Sequence, residues 1–78
     1  MAKYALLEAT LNPRGELLSN LHFGVIFIGS ERKTWEELRA CASELRNVDF
    51  FESISTPFAR GIDPETGFIM VYRIQRLD

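Results

Sequence analysis

The chain of 78 residues has one cysteine, Cys41, and one histidine, His22. A lone cysteine allows no intrachain disulfide, and a reducing, cytoplasmic setting is the expectation that follows. Zinc would require three or four Cys, His or carboxylate ligands, and the sequence has no CxxC, HxH or HExxH spacing. A nucleophile with its general base needs a histidine beside Ser, Cys or Thr. His22 instead falls in a strand pattern and Cys41 on the apolar stripe of a helix, so both read as structural residues. The carboxylate pairs Glu36/Glu37 and Asp63/Glu65 belong to a helix start and a turn, and a small sheet offers no cleft for a glycosidase pair. The five glycines are scattered without GxGxxG or GxxxxGK[ST] spacing, which removes the usual phosphate cradles. No catalytic, cofactor or metal site is expected, and the chain is read as a non-enzyme.

An excess of one charge sign is lacking too. Nine basic and eleven acidic residues interleave along the chain for a net charge of -2, whereas phosphate binding usually shows as a basic block. Long apolar runs are missing; the longest, Phe23 to Gly29, has the length of a strand and not of a membrane span. The opening Met-Ala-Lys-Tyr, with Glu8 soon after, does not resemble a signal peptide.

What is present is a globular composition, 46% hydrophobic and 26% charged. Area scaling for this mass predicts roughly 63% of the unfolded surface buried, enough for one modest core. A single domain over residues 1–78 is expected.

Lys3 to Leu11 alternates as a strand, with Ala5, Leu7, Ala9 and Leu11 on one side and Tyr4, Leu6, Glu8 and Thr10 on the other. Asn12-Pro13-Arg14-Gly15 supplies turn chemistry. Leu21 to Gly29 is a second strand, apolar on both sides, with a bulge or longer loop expected around Leu18-Ser19-Asn20 to reconcile the register. Thr34-Trp35-Glu36-Glu37 fits a capping box, Trp35, Leu38, Cys41, Ala42 and Leu45 form a helical apolar stripe, and Asn47 fits a left-handed cap; Ser30 to Lys33 would add at most a frayed turn. Val48 to Thr56 is a third strand ended by Pro57, Phe58 to Ile62 a lead-in, Asp63 to Gly67 a hairpin turn, and Phe68 to Arg76 a fourth strand. The expected fold is α+β: β-β-α-β-β, a four-stranded, mainly antiparallel sheet with one helix on one face.

One helix covers one face. Ala5, Leu7, Phe50, Ile54, Phe68, Met70, Tyr72 and Ile74 are assigned to the helix side, and Tyr4, Leu6, Phe51, Ile69, Val71, Arg73 and Gln75 to the other. That second face is greasier than a solvated sheet face, and such patches mark interaction sites. The candidate partner-binding residues are Tyr4, Leu6, Phe51, Arg60, Ile69, Val71, Arg73 and Gln75. The function expected is a protein-binding module that occludes or bridges a partner through the helix-free face or a sheet edge. Its size and bareness suit an inhibitor or regulator of the phage or mobile-element kind. Two alternatives are a single-stranded nucleic-acid binder stacking bases on Tyr4, Phe23, Phe51 and Tyr72 beside Arg60, Arg73 and Arg76, and a homodimer burying the same face.

Overall fold

The computed structural model describes residues 2–12, 14, 23–52 and 57–78. The elements are β1 (Tyr4–Leu11), β2 (Gly24–Gly29), α1 (Glu31–Ala42), β3 (Arg46–Phe51), β4 (Phe58–Ile62) and β5 (Ile69–Arg76). They form an α+β domain with one antiparallel sheet of order β2-β1-β5-β4-β3, so β2 and β3 are the edges. The helix connects those two edges and packs across one face, against β5, β1, β2 and β4.

Among the described residues the sheet has five strands, not four, because residues 58–62 form a strand of their own. Pro57 does not break that ladder. It lacks a donor but its carbonyl accepts from the Ile74 amide at 2.9 Å, at the boundary where only an acceptor is needed. Ala59 then packs beneath the helix, and Gly61 lies against Leu45, just past the helix, and Val48 of β3. A Cβ at Gly61 would lie 2.8 Å from the Leu45 Cβ and 3.1 Å from Val48, so the small residues let this strand sit close.

The helix begins one turn earlier than the capping box suggests. Ser30 is the N-cap, its Oγ accepting from the Lys33 amide at 3.3 Å, and Glu31 supplies an acid to the positive end of the helix. Thr34 is inside the helix and fully buried, its hydroxyl donating to the Ser30 carbonyl at 2.7 Å. A threonine that satisfies its hydroxyl backwards can sit in the interior, which the S/T-x-x-E pattern does not reveal. The stripe is as expected: Leu38 and Ala42 are buried, with Trp35, Cys41 and Leu45 packed around them. The helix ends at Ser43, so Asn47 is not its cap, although Asn47 does take a left-handed φ of 53°. It lies in β3, inside the irregular register between Arg46 and Asp49.

Directly opposed residues in an antiparallel pair share a face. Leu6 opposes Ile74, Glu8 opposes Tyr72 and Thr10 opposes Met70, and these pairs lie beneath the helix. Leu6, Leu38, Ala42, Ala59, Tyr72 and Ile74 form the core, with Tyr4, Phe27, Val48 and Met70 against it. The β1 assignment is therefore reversed: Tyr4 and Leu6 face the helix, while Ala5 and Leu7 lie on the other side. Both sets are apolar, so alternation alone set no direction; the pairing with β5 did. Phe50, opposite the buried Ala59, takes the helix side as expected. Phe68 precedes β5 and closes the hairpin by accepting from the Asp63 amide at 2.9 Å, with Gly67 at φ 77° supplying the left-handed turn residue. Arg14 donates its amide to the Asn12 side chain at 3.0 Å; Pro13 and Gly15 of the turn expected there lie outside the described residues. His22, the loop around residues 18–20, and Ile54 lie outside the described residues.

Candidate functional site

The helix-free face can be built row by row from the registers. Across its middle run Val25, Leu7, Arg73, Phe58 and Phe51, each opposite the next. One row on, Ala9, Val71, Arg60 and Asp49 face one another; beyond them come Leu11, Ile69 and Ile62. On the other side Ile28, Ala5 and Gln75 complete the face.

The centre of this face is closed. Ala5, Leu7 and Ala9 are buried although no helix among the described residues lies over them. The Arg73 guanidinium lies 4.4 Å from the Phe23 ring centroid and donates through Nη2 to the Gln75 Oε1 at 3.3 Å. Its Nε is buried with no hydrogen-bond partner among the described residues. Arg73 is thus partly packed into the face, where the sequence suggested a free anchor.

Apolar exposure has moved outward. Among the described residues, the exposed large hydrophobics are Val25, Ile26 and Ile28 on β2, Phe50 and Phe51 on β3, and Leu77 near the carboxyl end. Apart from Leu77, all lie on the two edge strands. Phe51 is 41% exposed and stacks on Phe58 with centroids 4.4 Å apart and planes 18° from parallel. Arg60 is exposed in the adjacent row, opposite Asp49.

Of the eight candidate residues, Phe51, Arg60, Ile69, Val71, Arg73 and Gln75 share the helix-free face. Tyr4 and Leu6 do not; they pack under the helix, and Leu6 has no exposure at all. Val25, Ile28 and Phe58 belong to the face and were missed. Their signal was the uncharged stretch GVIFIG and the Phe beside Pro57, neither of which states an orientation.

The helix side carries a second feature. A depression of about 490 Å³ is lined by Glu8, Cys41, Glu44, Asp63, Glu65 and Tyr72 among others. Burial, the Glu8 carboxylate as hydrogen-bond acceptor, and the charges of Glu8, Cys41 and Glu44 hold the Tyr72 phenol well above its ordinary range. Burial, followed by the charges of Glu8, Glu37 and Glu44, pushes the Cys41 thiol up as well. That is the opposite of an activated thiolate. Among the described residues, no three His, Cys, Asp or Glu side chains converge to hold a metal ion. Tyr4, on the same side, has its phenol raised by hydrogen bonding to Glu31 and by partial desolvation.

The aromatic platform imagined for nucleic acid is divided by the sheet. Tyr4 and Tyr72 lie with the helix, Phe23 and Phe51 on the other face. No helix among the described residues is long and apolar enough to cross a membrane. No protein-family model matches the chain, and neither curated proteins nor solved structures match it significantly.

Proposed function

We propose that the chain is a small non-catalytic protein-binding module that docks a partner protein on the Phe51 end of its helix-free face and acts by occluding or bridging that partner. The observation that carries this reading is the exposed Phe51–Phe58 stack, with Arg60 beside it and Val71 and Ile69 behind. Aromatic rings and arginines at the centre of an apolar patch are the residues that dominate protein interfaces. The raised Cys41 thiol supports a non-catalytic role. Division of the aromatics between two faces weighs against base stacking.

The test is affinity capture from the source cells with the wild-type chain, Phe51→Asp, Arg60→Glu and a control, Glu36→Gln, on the exposed side of the helix. The expected result is a protein captured by wild type and control and reduced roughly tenfold or more by either face variant, with thermal midpoints unchanged. Capture indifferent to both face variants would refute the reading.

A further inference from the structure

The two sheet edges are guarded unequally. Edge strands normally carry charge, proline or an irregular backbone that discourages pairing with another chain. Both edges have an irregular register, but the β3 edge adds Arg46, Asp49 and a left-handed Asn47. The β2 edge, GVIFIG, has no charge and no proline, and Val25, Ile26 and Ile28 are 54%, 47% and 56% exposed. Among the described residues, β2 has a strand on one side only, β1.

We propose that β2 is a self-association edge, where β2 of a second copy pairs antiparallel about a twofold axis and joins the two five-stranded sheets into one. The occupant follows from how β2 is built. Gly24 opposes Glu8 and Phe27 opposes Leu6 on the helix side; Val25 opposes Leu7 and Ile28 opposes Ala5 on the other. The register shift between Leu6 and Leu7 leaves Ile26 as the extra residue. In a regular six-residue strand, residues related by its own centre fall on opposite faces. The extra residue reverses this, so Gly24 and Gly29 share the helix side while Val25 and Ile28 share the other. A twofold through the middle of β2 therefore sets Gly24 against Gly29 and Val25 against Ile28 of its copy with faces matched, places the extra residue Ile26 against Phe27 at the centre, and opposes no charges.

This pairing keeps both helices on one side of the joined sheet and leaves the Phe51 end of each copy free, so it stands apart from the partner reading above. A strand of six residues spans only about 20 Å. The contact is smaller than a permanent dimer uses, and the dimer is weak and concentration-dependent.

The test uses purified protein alone, by sedimentation equilibrium from micromolar to millimolar concentration. Wild type is expected to pass from monomer to dimer. Ile28→Lys and Val25→Glu should each weaken the dimer roughly tenfold or more, since each buries a charge against an aliphatic side chain. The double variant V25E/I28K, which sets each Glu against a Lys of the copy, should recover a dimer that salt weakens. A wild type that stays monomeric, a dimer indifferent to both single changes, or singles that dissociate without recovery in the double variant would each overturn the proposal. Should the variants unfold by circular dichroism, hydrogen exchange on the unmodified chain decides. Amide protection in residues 24–29 must rise with concentration while that in 49–51 does not; any other pattern overturns it.

Discussion

At the scale of single residues, the close approach of β4 to Leu45 and Val48 turns on an absent side chain. A methyl group at Gly61 would press on Leu45 and Val48, whereas a Cβ at Gly24 meets nothing within 4 Å. Overpacking of that kind costs about 1–3 kcal/mol. Gly61→Ala is expected to lower the unfolding free energy read from urea titration by an amount in that range, and Gly24→Ala to leave it unchanged or raise it slightly through lost chain entropy. Equal effects at the two positions would mean that β4 is not held close by packing. Glycine content alone does not distinguish the two sites; Gly61 becomes special because residues 13 and 16 positions earlier in the chain come to lie over it.

At the scale of elements, the helix start separates two competing residues. Ser30 caps, while Thr34 is buried one turn in. Ser30→Ala is expected to cost about 0.5–2 kcal/mol through loss of the cap. Ser30→Asp, which keeps an acceptor and adds a favourable charge at the helix start, should restore stability. Thermal unfolding of the two variants checks this; no loss in Ser30→Ala would return the cap to Thr34. The apolar stripe was legible because a 3.6-residue period survives any tertiary context. The start was not, because Ser30 and Thr34 both have a hydroxyl and lie one turn apart. Likewise β4 was hidden behind Pro57, whose missing donor is harmless where its carbonyl alone is used.

At the scale of the whole molecule, the helix side brings β1, β5 and α1 together at Glu8, Tyr72 and Cys41. The folded state keeps both Tyr72 and Cys41 protonated beyond their ordinary values of 10.0 and 9.0. Below those values folded and unfolded chains carry the same protons, and the contribution to stability is fully present. As pH rises through them the unfolded chain ionises first, so it binds fewer protons than the folded one and stability falls. Urea midpoints should be level near neutrality and decline from about pH 9 upward. Tyr72→Phe should make that decline shallower, and a slope unchanged by the substitution would remove Tyr72 as a contributor.

The sequence by itself determined the α+β class, the helical stripe, the DPETG turn and the apolar surplus on the sheet. Each is a local matter of side-chain period, turn chemistry and composition. Only the tertiary structure decided which side of β1 is core, since Tyr4/Leu6 and Ala5/Leu7 are both apolar and the choice rests on Leu6 meeting Ile74 beneath Leu38. It also decided that the apolar surplus lies at the edges: the strand order puts the small residues of β1 in the interior of the sheet and β2 and β3 outside. Strand order is set by contacts between residues far apart in the chain, and no alternation within a strand records it.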